Sequence, residues 1–442
     1  MSRMSLGVDQ QSSTPNARQV APPVHSLSSD PSRCAEAIDI QAAEDRLIQT
    51  LLLAEKGLNR LASFGEYWDS TADPYKSVTE KIVVETALLA LVAGRVPDAT
   101  PALRDSLERL MALLCPLART VEKAALLIMH PHTALPFGIA HVALEKLGLP
   151  DPDFSATLRS ALSSEHVNAI ERLPYRRLEV AWLRALWDGL PLDYDLHMPG
   201  SIVNERPHPL HMSTADIYAL THTLFYITDF GRSGLPNDLD VVRLGQCIDA
   251  CLVWQLFEEN VDTVGELLIS ALVLPTPTSP AATICWDAIN CLWAEIGFLP
   301  GPSMDTQIFS ELSSTERDAY AFQNSYHTMY VAGILNSVVL QRESLRTLRI
   351  PVGSTREPLI EVNRRDWPYW VRLAAHEGSG IPAGLAVEAA IIQKGRLGAY
   401  ADLEDLLSIA PNYHVSSLTI AHAQDLLGRH LAMVQRYRQS TL

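Results

Sequence analysis

The sequence predicts an all-α protein of stacked helical hairpins, and three observations carry that expectation. Apolar residues recur at intervals of three and four through most of the chain after Ala35, the spacing of one buried face on a helix. Clusters of Pro and Gly interrupt the pattern about every 40 residues, as helix stops and turns do. Strand-like stretches are scarce, Leu359–Val362 being the one candidate. About a dozen helices joined by short turns build either a closed or nearly closed α/α toroid or, as the alternative, an open α-solenoid. No repeat of fixed length and consensus is visible, which argues against a tetratricopeptide or ankyrin array.

Taken in order, residues 1–33 are rich in Ser, Gln and Pro and poor in large apolar side chains, so they are expected to be a disordered tail. Residues 34–442 are read as one large helical domain, with possible halves at 34–192 and 213–442 joined by a loop over 193–212. Ile38, Ala42, Leu47, Leu51 and Leu52 mark a first helix; Ile82, Val83, Ala87, Leu88 and Leu91 a second; Leu103, Leu107, Leu110 and Leu114 a third. Stops fall at 97–101, 148–153, 189–191, 234–238 and 275–280, each a Pro- or Gly-containing run. Pro174 suits a helix start. Further helices are expected at Val241–Glu258, Val261–Leu274, Ala281–Glu295, Glu316–Leu340, Pro382–Lys394 and Leu418–Arg436.

Composition narrows the setting. The 442 residues are 47% hydrophobic, enough for a large core. Apolar runs such as Ala124–Met129 and Leu268–Leu274 stop far short of the ~20 residues that span a bilayer. The N-terminus lacks a secretory pattern and the six cysteines are scattered, as in a cytoplasmic protein. A net charge of −16 speaks against nucleic acid or an anionic membrane as partner.

The segment Asp216-Ile-Tyr-Ala-Leu-Thr-His-Thr-Leu-Phe-Tyr-Ile-Thr-Asp-Phe-Gly231 is the main candidate site. At ~100° per residue, Ile217, Leu220, Leu224 and Ile227 share one face, and Tyr218, His222, Tyr226 and Asp229 share the other. A surface helix would carry Lys and Glu on that second face. Aromatic and titratable residues there predict a helix that lines an enclosed polar lumen, which favours the closed toroid. A second helix repeats the pattern: Tyr320, Gln323, Asn324, His327 and Tyr330 share a face, and both helices carry His-Thr followed by Tyr. Convergence of His222, Asp229 and His327 is therefore expected, with His222 as acid or base, Asp229 orienting it, and Tyr218, Tyr226, Asn324 and Tyr330 binding substrate.

Residues 193–212 hold His197, His208 and His211 without periodicity and are expected to form a lid over the start of the motif helix, with His211 facing substrate. Arg176, in Glu171-Arg-Leu-Pro-Tyr-Arg-Arg-Leu-Glu179, has the fork to clamp a carboxylate or phosphate, or else pairs with Glu179. Metal binding finds no support in the spacing, since His-Glu-x-x-His and Cys-x-x-Cys are missing and Cys247 with Cys251 sit in core-like sequence, so no metal ligand is assigned. His130, His132 and His141 look structural, and Trp367-Pro-Tyr-Trp370 reads as an aromatic anchor. Phosphate loops, dinucleotide fingerprints, kinase signatures and Gly-x-Ser-x-Gly elbows are missing too, so the sequence names no cofactor.

Residues 171–179, 216–231 and Tyr326-His-Thr-Met-Tyr-Val331 together resemble a family of uncharacterised all-helical bacterial proteins found beside peptide and other natural-product biosynthesis genes, over about 120–435. The resemblance implies specialised metabolism, as a modifying enzyme or as the partner of one. Two classes of function follow. One is an enzyme that modifies a peptide or small molecule in a helical lumen; the alternative is a non-catalytic scaffold that binds a peptide or a neighbouring biosynthetic enzyme.

Overall fold

Pro and Gly punctuation becomes helix boundaries in a computed structural model that describes residues 39–68, 78–205, 207–342, 383–413 and 415–440. The helices are α1 (Ile40–Trp68), α2 (Val78–Ala93), α3 (Pro101–Ala118), α4 (Val121–Met129), α5 (Ala134–Lys146), α6 (Pro152–Leu162), α7 (Glu165–Ala169), α8 (Pro174–Asp188) and α9 (Tyr194–His197). There follow α10 (Thr214–Ile227), α11 (Val241–Phe257), α12 (Val261–Val273), α13 (Pro280–Ile296), α14 (Thr306–Glu311), α15 (Ser314–Gln341), α16 (Ala383–Arg396), α17 (Tyr400–Ile409) and α18 (Ser417–Ser440). The protein is all-helical, with no strand among the described residues. Residues 1–33, Leu359–Val362 and Trp367–Trp370 lie outside the described residues.

Local chemistry explains the boundaries. Pro101, Pro152, Pro174 and Pro280 sit in first turns, where a missing N–H costs nothing. Thr100, Asp151, Asp240, Asn260 and Ser279 accept a hydrogen bond from the backbone of the turn they precede. Ser213 and Asp216 form a reciprocal capping box at α10. Gly189 and Gly297 end α8 and α13 at φ 67° and 84°, a conformation cheap only for glycine.

Helix neighbours place the site. α15 packs on α1, α2 and α12; α12 also packs on α10, and α10 on α8. α5 touches both α8 and α2, so α2, α15, α12, α10, α8 and α5 make a closed circuit of contacts. α12 is buried on nearly every side, including its two acids, Asp262 and Glu266. α15 is likewise buried from Met329 to Leu340 apart from Ile334. α16 packs against α11, α17 and α18, and with the last two it shares a smaller apolar cluster around Val387, Ile391 and Leu403.

Candidate functional site

Five helices of that circuit each deliver polar side chains to one place. Asp262 and Glu266 stand four residues apart on α12, hence on one face a turn apart, and each is 2% exposed. Asp262 Oδ2 accepts from the Tyr218 hydroxyl of α10 at 3.3 Å, and its Oδ1 accepts from Thr328 of α15 at 3.3 Å. Glu266 Oε2 accepts from Thr221 of α10 at 2.6 Å. His327 of α15 lies between two acids: Nδ1 is 2.9 Å from Glu85 Oε2 on α2, and Nε2 is 3.6 Å from Asp262 Oδ2. His222 of α10 places Nδ1 2.9 Å from the Tyr218 carbonyl and 3.7 Å from Glu266 Oε2. A carbonyl oxygen only accepts, so Nδ1 of His222 carries the hydrogen and Nε2 the lone pair.

A branch of the same network runs onto α8. The Tyr226 hydroxyl donates to Glu179 Oε1 at 2.7 Å, and Arg176 Nη1 donates to Glu179 Oε2 at 2.8 Å. Tyr175 stands edge-on to His222 at 5.9 Å between ring centres. Arg176 is half-exposed, so this branch connects the buried cluster with the surface.

Water reaches the histidines. Thr221, Tyr226, Glu266 and Thr328 around them are buried, yet 26% of the His222 side chain and 34% of the His327 side chain are accessible. Both rings thus keep accessible surface among buried neighbours. Burial, aided by the Arg176 charge and opposed by Glu179, holds His222 down to about 4, so it is neutral at pH 7. Burial and then the neighbouring Asp262 push Glu266 up to about 8. For His327 burial acts downward, but Glu85 and Asp262 outweigh it and raise the imidazole to about 9. Shifts of opposite sense in adjacent groups occur in functional sites and in structural ion-pair networks alike. A separate surface cavity of about 600 Å³, lined by residues such as Ala93, Gly94, Leu103 and Leu107, shares no residue with the cluster.

The family profile of a domain of unknown function, DUF6895, matches residues 49–337, which is most of the chain and includes every residue of the cluster. The chain belongs to the DUF6895 family. No curated protein and no solved structure matches it. The DUF6895 span ends before α16, so the three C-terminal helices lie beyond it.

Within the DUF6895 span the structure gathers some of the expected residues and separates others. His222, Tyr218 and Tyr226 of α10 and His327 of α15 belong to the one network. Tyr330, a turn beyond His327, is buried and accepts from Thr86 of α2 at 3.1 Å. Asn324, a turn before it, turns its amide back onto the Tyr320 carbonyl.

Asp229 does not join His222. α10 ends at Ile227, and Asp229 adopts φ 45°, so extrapolating the helical face past that point fails. Its carboxylate accepts from Arg95 at 3.0 Å and from the Trp182 indole at 2.9 Å. The expected lid is also corrected. The segment contains α9 and a tight turn over Pro209–His211, and His208 is 1% exposed. His208 stacks on His422 of α18 at 4.4 Å and meets Thr419 at 3.2 Å. His211 is exposed and edge-on to the same His422, at 5.9 Å. The loop thus anchors the C-terminal helices. Arg396 of α16 adds hydrogen bonds to the carbonyls of Pro209 and Met212. Arg176 forms the pair with Glu179.

Sequence reasoning missed Glu85, Asp262 and Glu266. Their signal was present: Asp262 and Glu266 are two acids four apart in the otherwise apolar Val-Asp-Thr-Val-Gly-Glu-Leu-Leu-Ile, and Glu85 interrupts Ile-Val-Val-Glu-Thr-Ala-Leu-Leu. An acid on the apolar face of a buried helix needs a partner.

Proposed function

We propose that this DUF6895 protein is an enzyme of specialised metabolism that modifies a peptide or small molecule inside a closed or nearly closed α/α toroid, with His222 as its acid–base residue. The observation that supports this most is the fixing of the imidazole. Nδ1 is committed to the Tyr218 carbonyl, while Nε2 makes no hydrogen bond among the described residues on a side chain that remains accessible. Such a nitrogen can take a proton from a bound substrate, and the Tyr218 carbonyl then steadies the imidazolium through Nδ1. Tyr218, Tyr226 and His327 supply hydrogen-bonding positions around it, and Arg176 stands at the surface end of the Glu179 branch. The circuit of helix contacts supports a closed ring. The resemblance stated above supports the biosynthetic setting. A cytoplasmic location is in keeping with free Cys115, Cys247, Cys251, Cys285 and Cys291. No helix among the described residues is long and apolar enough to cross a membrane.

The test is complementation. A strain deleted for the gene receives the wild-type or the His222→Ala protein, and extracts are compared by mass spectrometry. The wild type restores a product that His222→Ala does not, while circular dichroism and melting temperature of the two proteins agree. Restoration by His222→Ala would sink the catalytic reading. A biosynthetic enzyme that co-purifies equally with both proteins would then favour the scaffold.

A further inference from the structure

The histidine on α15 has the geometry of a metal ligand. Glu85 takes the Nδ1 hydrogen of His327 at 2.9 Å, so Nε2, which faces Asp262, is the nitrogen that offers a lone pair once a metal displaces its proton. A carboxylate behind a histidine, fixing tautomer and orientation, is the usual outer support of a metal-bound imidazole. In front of that Nε2, ligand atoms of Asp262, Glu266 and His327 all lie within 4.8 Å of one another. The 3.6 Å between Nε2 and Asp262 Oδ2 is too long for a hydrogen bond. It is close to the ~3.4 Å that separates two donors each ~2.1 Å from a tetrahedral ion.

Charge points the same way. Glu85, Asp262 and Glu266 set three acids around one imidazole, two of them almost wholly buried, and a divalent cation that displaces their protons suits such a set. The two buried acids, Asp262 and Glu266, are oriented by neutral donors, Thr221, Thr328 and Tyr218, while Lys81 lies 3.5 Å from the outer oxygen of Glu85. We propose that Asp262, Glu266 and His327 bind one divalent transition-metal cation, with Glu85 as the residue that positions the histidine. Two carboxylates and an imidazole suit Zn²⁺, Mn²⁺ or Fe²⁺ better than Ca²⁺ or Mg²⁺, which favour all-oxygen sets. The accessible edge of His327 gives the ion a way in. This site stands whether or not His222 is catalytic.

Binding is measured directly on the full chain after chelator treatment, by calorimetric titration with Zn²⁺ and by the loss of the free Mn²⁺ resonance signal. One ion per chain is expected. Asp262→Asn and Glu266→Gln, which keep shape and relieve repulsion between like charges, should each fold with wild-type circular dichroism and bind at least about tenfold more weakly. Zn²⁺ should raise the melting temperature of the wild type and leave that of Glu266→Gln unchanged. Absence of saturable binding near one equivalent overturns the site. So does affinity undiminished in both variants, or affinity lost in His211→Ala instead, which would place the ion on the histidines beside α18.

Discussion

Asp229 and Phe230 hold φ at 45° and 55°, and Gly231 follows at 91°. Two consecutive non-glycine residues in the left-handed region cost free energy that their surroundings must offset. Arg95 does so by donating to both the backbone carbonyl and the carboxylate of Asp229, while the Trp182 indole donates to the same carboxylate. Arg95 is 9% exposed, so removing its partner leaves a charge largely stranded. Asp229→Ala should lower unfolding free energy by roughly 3 kcal/mol, the scale for breaking a buried pair. Urea denaturation would show it, and a loss below about 0.5 kcal/mol, as at an ordinary surface site, would refute the anchoring role. His222, in contrast, is the residue whose replacement should remove product without removing the fold. Residues of one sequence pattern thus divide into a helix terminator and a site residue, and the dividing fact is where the helix ends.

At the scale of elements, α15 organises the site because three helices close on it. Close approach is made possible by glycine. A Cβ on Gly333 would stand 2.7 Å from both Leu89 of α2 and Thr50 of α1, and one on Gly265 of α12 would stand 2.8 Å from Val331. Neighbours that close must shift, and overpacking of this kind costs about 1–3 kcal/mol. Gly333→Ala should therefore be destabilising despite the better helix propensity of alanine, with melting temperature as the readout; an unchanged or raised value would show that α1 and α2 yield freely. The helices themselves were legible: 3.6-residue periodicity with Pro, Gly and capping residues located most boundaries to within a few residues. α4 to α7, α9, α14 and α17 were given no bounds, since helices this short carry few turns in which periodicity can declare itself. Which helices touch is a matter of side-chain shape across long sequence separations, and no local pattern encodes it.

Across the whole molecule, the C-terminal helices are tied to the DUF6895 span through histidines. His208 Nδ1 accepts from the Leu210 backbone, so Nε2 carries the hydrogen to Thr419, whose hydroxyl donates to buried Glu388. Burial first, then His422, His211 and Arg243, hold His208 down to about 3. Arg429 and Asp425 of α18 also act on this group of histidines, through His211 and His422. A histidine depressed in the folded state binds fewer protons there than in the unfolded chain. Its contribution is therefore complete above about pH 6.5 and is lost as pH falls from there towards 3. Between pH 7 and 5 the loss from this residue should be on the order of 2 kcal/mol. Urea unfolding at both pH values tests it, because His208→Gln, which does not titrate, should show a shallower decline; equal slopes would refute the assignment.

By itself the sequence determined that the chain is helical, where most helices begin and end, and that α10 and α15 carry histidines on polar faces. Those properties are local, set by backbone hydrogen bonding within a few residues and by the period at which apolar side chains recur. Tertiary structure alone decided which polar residues meet. It brought Glu85, Asp262 and Glu266 to His327 and His222 from three further turns of helix, sent Asp229 to Arg95, and buried His208 under α18. The physical reason is range: an ion pair or a ligand set depends on distances of a few ångströms between residues hundreds apart in the chain, as His327 and Glu85 are, and only packing fixes them.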